Sequence, residues 1–194
     1  MITAHILSDI HLEHFIDPRM AIKYLEYMRP VETADVLILA GDIVSLNKPE
    51  TLLYFDEFKK WAIEVIYIPG NHEFYNMNPL FDGEGSLSVL ESEGIRVLGP
   101  NNLHSFTYQD QKFVGTTCWY PDTPNIREKL MHWSDKAYIK AFFTWWEKHQ
   151  LEERKMLWNE VDENTIVITH MLPTWECVSP KFANDAYNVL YVSD

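Results

Sequence analysis

The sequence predicts an α/β fold with two sheets flanked by helices, and three observations carry that expectation. Short apolar runs rich in β-branched residues, at Ala4–Leu7, Val36–Ala40 and Val65–Ile68, read as buried strands. Helical patterns separate them, so the first part of the chain reads β-α-β-α-β, which favours a parallel sheet with right-handed crossovers. Further on, Ser105–Tyr108 and Lys112–Gly115 read as a hairpin around Gln109-Asp110-Gln111, and this hairpin calls for a second sheet.

The first strand spans roughly Ile2–Leu7. A helix is expected over Pro18–Met28, with Met20, Ala21, Tyr24, Leu25 and Met28 on one stripe and Pro30 as its stop. Asp35–Ala40 forms the second strand. The next helix lies around Pro49–Trp61, with Leu52, Leu53, Phe58 and Trp61 as apolar positions and Pro49 in the first turn. The third strand ends at Pro69-Gly70, a turn signal. After the polar loop Asn76–Gly85, Leu87 and Leu90 mark a short helix and Ile95–Leu98 a strand. A long helix is expected from Asp135 to about Asn159, closed by Asp162-Glu163-Asn164 ahead of a last strand, Thr165–Ile168.

The 194 residues, 46% of them hydrophobic, support one domain over 1–194 with one substantial core. No apolar stretch reaches the length of a membrane span, and the N-terminus enters a strand without a secretory pattern. Cys118 and Cys177 lack metal-type spacing and are too few for a disulfide framework, so a cytoplasmic location is expected. A formal charge of −13 argues against a broad nucleic-acid-binding surface but leaves a phosphate substrate open.

Chemistry concentrates where strands end. The clusters Ser8-Asp9-Ile10-His11, Gly41-Asp42, Gly70-Asn71-His72-Glu73 and Thr169-His170 each follow an apolar run. Ligands collect beyond the carboxyl ends of strands in open α/β sheets, so four strand ends deliver Asp9, His11, Asp42, Asn71, His72 and His170 to one region. Asp9 and His11, two apart, point the same way if the backbone stays extended, and both can then hold one ion. Asp42 has two oxygens with which to bridge two ions, Asn71 offers a neutral carbonyl oxygen, and His170 a nitrogen. Two cations about 3.5–4 Å apart polarise a phosphoryl group and activate water near neutral pH. His72, next to Asn71, is placed to stabilise phosphoryl oxygens or protonate a leaving group. Taken singly, each residue also has an ordinary structural role, as a turn, a cap or a buried histidine. Their ordered co-occurrence favours the metal site.

Asp9-x-His11, Gly41-Asp42, Gly70-Asn71-His72-Glu73 and Thr169-His170 together resemble the calcineurin-like metallophosphoesterase superfamily. The flanking stretches Ser8–Glu13, Gly70–Tyr75, Gly115–Trp119 and Thr169–Thr174 look like its small bacterial and phage branch. The resemblance covers nearly the whole chain. It implies a two-sheet αββα sandwich and a dinuclear centre of divalent ions: Mn²⁺ first, with Fe or Zn²⁺ as alternatives. It further implies that Asp9 and His11 bind one metal, that Asp42 bridges, that Asn71 and His170 bind the second, and that His72 is the catalytic histidine. The expected activity is hydrolysis of a phosphomonoester or phosphodiester, small-molecule or nucleotide, by metal-activated water.

The family pattern normally continues to a Gly-His-x-His motif, and no histidine follows His170. The chain therefore reads as a metallophosphoesterase domain incomplete at its C-terminal end. Expected consequences are weaker metal binding and an exposed sheet edge that invites a homodimer. An impaired, binding or regulatory protein is the alternative to an active enzyme, and a nuclease of the same superfamily is a third option disfavoured by the acidic charge. Among the other histidines, His14 is nearest in sequence to the clusters. The aromatic stretch Met131–Trp146 reads mainly as core, and Trp119 and Tyr120 as candidates for a substrate-facing loop.

Overall fold

Alternation along one strand sets the layering. In the computed structural model, which describes residues 1–194, β1 (Ala4–Leu7), β2 (Ala34–Ala40), β3 (Ala62–Ile68) and β4 (Arg96–Val97) form a sheet in that order. All of its pairings are parallel. The second sheet has the order β5 (Phe106–Tyr108), β6 (Gln111–Thr116), β7 (Thr165–Thr169). Its first pair is the expected antiparallel hairpin and its second is parallel. On β2, Val36 and Ile38 face Phe113 and Ile168 of the second sheet, in a cluster with Ile66 and Ile68 of β3. Leu37 and Leu39 turn the other way, into the larger core shared with helix residues such as Leu25, Phe55 and Phe58. The period of two thus splits one strand between two interfaces, as a two-sheet sandwich requires.

Helices α1 (Pro18–Met28), α2 (Thr51–Phe58) and α3 (Glu84–Ser92) belong with the first sheet. α1 starts and stops where the sequence pattern places it, capped by the Asp17 side chain accepting from the Arg19 N–H. α2 is shorter than expected. Pro49 precedes it, and its buried face is Tyr54, Phe55 and Phe58, whereas Leu52 and Leu53 are exposed. The aromatic residues offer more area to the core and win that face.

The long helix expected from Asp135 to about Asn159 is interrupted. α4 (Pro124–Leu130), unforeseen, is capped by the Thr123 hydroxyl, and α5 (Ser134–Tyr138) is separated from α6 (Phe142–Glu160) by Ala141 at a φ of 56°. The cause is tertiary. The Tyr138 carbonyl accepts from the Asn76 N–H at 2.7 Å, and the Lys140 N–H donates to the Met77 carbonyl at 3.0 Å. Groups that would extend the helical ladder are committed to another segment.

α6 covers the end of β6 through a buried carboxylate. Glu153 accepts from the Thr116 hydroxyl and from the backbone N–H groups of Cys118 (3.3 Å) and Trp119 (2.8 Å). Trp119 and Tyr120 are consequently drawn inside and are fully buried, which corrects the expectation of a substrate-facing loop. Burial raises the pKa of Glu153 from 4.5 to about 7. Between those values the folded chain holds a proton that the unfolded chain releases, so this group's contribution falls as pH rises through the window. Glu153→Gln carries no such proton. Its stability relative to wild type should therefore improve with rising pH by up to about 1.4 kcal/mol per unit across the window. Denaturant midpoints measured near pH 5 and near pH 8 check this, and a constant offset between the two proteins would refute it.

The outer strands β1 and β7 leave Ile6, Ile166 and Val167 exposed. No helix is long and apolar enough to cross a membrane.

Candidate metal centre

The loops after β1, β2, β3 and β7 converge, but not through extended backbone. Asp9, His11 and Asp42 all have left-handed backbones, with φ of 54°, 47° and 53°. Such conformations are costly for residues other than glycine and persist where surrounding bonds over-determine them. Here the Asp9, His11 and Leu12 N–H groups donate to the carbonyls of Gly41, Asp42 and Ile43, zipping the first loop onto the second. The candidate ligand groups are therefore aimed by turn geometry. Donor atoms of Asp9, Asp42 and His170 lie within 4.8 Å of one another, whereas His11 groups with Glu13, His14 and His72. This differs from the simple Asp9–His11 pair expected from an extended strand end.

Asp42 connects the two groups. Its Oδ1 is 3.4 Å from His170 Nε2 and its Oδ2 is 3.8 Å from His11 Nε2. Oδ1 also accepts from the His72 N–H at 3.0 Å. Burial raises the pKa of Asp42, but the hydrogen bond and charge of His170 outweigh it and leave it lowered. His170 Nδ1 lies 3.0 Å from the Ala40 carbonyl, which makes Nδ1 the donor and turns Nε2 toward Asp42 and Asn71. Burial opposes charge on His170, yet the Asp42 hydrogen bond and charge raise its pKa to about 9. Nε2 thus holds a proton against Asp42 unless a cation takes that place.

Asn71 is oriented from behind. Its Nδ2 donates to Asp135 Oδ1 at 2.8 Å and to the Tyr75 hydroxyl at 3.2 Å, so Oδ1 faces His170 Nε2 at 3.2 Å. Asp135 is fully buried and also accepts from the Tyr75 and Tyr120 hydroxyls, at 2.8 and 3.0 Å. Sequence reasoning gave Asp135 no role beyond the start of a helix, and no local signal marks it.

Two glutamates within the quoted motifs also carry functions that spacing does not reveal. Glu73 is fully buried and accepts from the N–H groups of Asp42 (2.9 Å), Ile43 (2.8 Å), Val44 (3.3 Å) and Gly70 (2.7 Å). One side chain thereby holds the loops after β2 and β3 together. Burial, with the nearby charge of Asp42, pushes its pKa up to about 7. Glu13 Oε1 lies 3.0 Å from His11 Nδ1 and 3.2 Å from His72 Nδ1, setting both rings. Burial works against charge on His72, but the hydrogen bond to Glu13 and the charge of Asp42 raise its pKa. Its ring also stacks on Tyr75, with centroids 4.2 Å apart. His14 stands at the exposed side of this group, stacked on His11 at 5.3 Å.

Gly41 and Gly70 form the floor. A Cβ on Gly41, whose φ is +85°, would sit 2.5 Å from His170 Nδ1, and one on Gly70 would sit 2.6 Å from the Asp42 nitrogen and 2.9 Å from His170 Nε2. Gly41→Ala should cost at least about 2 kcal/mol, from strain plus collision. Thermal unfolding measures it, and an unchanged midpoint would show that the loop relaxes freely.

Mixed carboxylate, carbonyl and imidazole donors, with His170 and Asn71 oriented from behind, fit divalent transition ions.

A family model described as calcineurin-like phosphoesterase matches residues 2–192. The chain belongs to this family. Phosphopantetheinyl Hydrolase (PptH) from Mycobacterium tuberculosis superposes on it with a TM-score of 0.69 at 15% identity, covering 98% of this chain and 75% of that one. At that identity the likeness speaks for the fold. The nuclease MPE of Pseudomonas putida matches more loosely, with a TM-score of 0.35 at 20% identity over 62% of this chain and 55% of that one. An uncharacterized protein of Acanthamoeba polyphaga mimivirus is 28% identical over 120 residues. That match takes in 58% of this calcineurin-like chain and 42% of the viral protein, less than half of that relative's length.

Proposed function

We propose that the chain is a phosphoesterase that hydrolyses a phosphomonoester or phosphodiester at a dinuclear centre of divalent ions, Mn²⁺ being the first choice. The observation that carries this reading is Asp42, whose two oxygens face two separate histidines, His11 and His170. His11 would hold one ion, Asn71 and His170 the other, with Asp42 shared and Asp9, whose carboxylate lies with Asp42 and His170, as a further ligand. Such ions supply Lewis-acid polarisation of the phosphoryl group and a lowered pKa for water.

The chain's own residues do the rest. Glu13 fixes the His72 ring through Nδ1, which leaves Nε2 as the nitrogen available to substrate. The raised pKa of His72 extends its charged form to higher pH. That form donates a hydrogen bond to a phosphoryl oxygen or a proton to the departing alkoxide. Asp135 and Tyr75 keep the Asn71 oxygen, rather than its amide nitrogen, turned to the centre.

Hydrolysis of bis(p-nitrophenyl) phosphate with added Mn²⁺ tests the proposal. His72→Ala is expected to lower kcat by about 10²–10⁴-fold with metal content retained. Turnover unaffected by this change would remove His72 from the mechanism. Absence of both stoichiometric metal and turnover in the wild-type protein would favour a binding or regulatory role.

A further inference from the structure

Resting on the reading of the site just given, we propose that the ester bound here carries an uncharged, largely apolar organic group, seated on a wall headed by Trp133, and not a second phosphate or other anion. A cavity of about 590 Å³ opens from Asp42, His72 and His170 onto the segment that follows β7. Its volume lies in the range of sites that enclose a small organic molecule. The far wall presents Trp133, Leu172, Val178, Phe182 and Tyr191. Trp133 is held between two rings. Tyr187 stacks on it at 5.6 Å with 20° between planes, and Tyr191 meets it edge-on at 5.7 Å. The surface is preorganised: its rings keep their positions by packing on one another. Phe182 and Tyr191 are nevertheless half exposed, an apolar surface of the kind that marks binding sites when it lines a concavity.

Charge weighs against the alternative. No lysine or arginine lines the cavity, and beyond the metal-site residues its carboxylates are those of Asp135 and Asp185, beside the phenols of Tyr75 and Tyr191. Lys129 and Lys181 lie over the rings of Tyr187 and Phe182 and are not among the residues that line it. A second phosphate on the substrate would meet Asp185, apolar rings and the neutral Ser134, Ser179 and Asn188 without a cationic donor, whereas sites for such groups supply arginine or lysine. An uncharged ring or chain meets no such penalty.

Binding of three phosphonates to the Mn²⁺-loaded protein, by calorimetry, tests this without turnover. Phenylphosphonate should bind at least about tenfold more tightly than methylphosphonate, and 4-phosphonobenzoate, the same ring with an added carboxylate, at least about tenfold more weakly than phenylphosphonate. Trp133→Ala should abolish the phenyl-over-methyl preference while methylphosphonate binding persists. Phe182→Ala, at an exposed position, should reduce the same preference if Trp133→Ala fails to fold. Asp185→Lys should restore 4-phosphonobenzoate binding. Equal affinity for the three compounds, tighter binding of the benzoate, or no binding of any would overturn the proposal. Retained selectivity in a protein that turns over no ester would instead sink the hydrolase reading and leave the apolar wall standing.

Discussion

Glu73→Ala is expected to leave the chain unable to hold its native structure at ambient temperature. The Glu73 carboxylate accepts four backbone N–H groups from the loops after β2 and β3, all of them in the interior. Alanine offers no acceptor and leaves all four buried donors without their partner. Each buried donor left unpaired costs about 1–3 kcal/mol, so even partial loss rivals the total stability of an ordinary domain, about 5–15 kcal/mol. Glu73→Gln keeps one acceptor oxygen and avoids the burial of a charge, and should lose markedly less. Circular dichroism and chemical denaturation of both variants distinguish these outcomes. If Glu73→Ala unfolds at the same denaturant concentration as wild type, the loops are held by something else. A collapse of metal binding in Glu73→Gln without loss of fold would show that the latch also sets the centre's geometry.

Asp42→Ala should act on chemistry with less harm to folding. Asp42 lies at the start of a loop, 5% exposed, and its backbone N–H stays bonded to Glu73 in the variant. What goes is the group that faces both His11 and His170, and with it the shared ligand of the proposed pair of ions. Loss of outer partners of metal ligands already costs about 10–100-fold in affinity or activity, and loss of a ligand common to both ions should exceed that. We expect at least a ~10³-fold drop in kcat/KM for bis(p-nitrophenyl) phosphate, equivalent to about 4 kcal/mol of transition-state stabilisation. Metal content measured by mass spectrometry should fall in parallel. Full activity with full metal content would show that Asp42 serves only to accept the His72 N–H and bond His170.

These two expectations draw differently on sequence and structure. Asp42 was recognisable from its position after a β-branched strand, together with Asp9, Asn71, His72 and His170. The reason is local: apolar runs declare strands, and α/β sheets gather polar chemistry at the strand ends. Glu73 sits in the same motif as His72, yet nothing in spacing says that its carboxylate turns away from the site to bind backbone. Asp135 is further removed. It acts on Asn71 across 64 residues, and its effect on the amide's orientation has no counterpart in any local pattern. Trp119 misled for a similar reason. It follows the hairpin and precedes Pro121, a position that reads as a loop, but Glu153 on α6 binds its N–H and the ring is buried in the core.

The sequence by itself determined the parallel first sheet, the hairpin of the second, the α1 boundaries and the residues that carry polar chemistry. Each of these follows from periodicity or turn chemistry within a few neighbouring positions. Tertiary structure alone decided that Asp9 groups with Asp42 and His170 while His11 groups with Glu13 and His72. It also decided that the helical stretch breaks at Ala141, and that Trp133 and the segment after β7 line the far wall of a cavity beside the centre. Those outcomes depend on left-handed turns and on hydrogen bonds between distant segments, where competing partners, and not local propensity, set the lowest free energy.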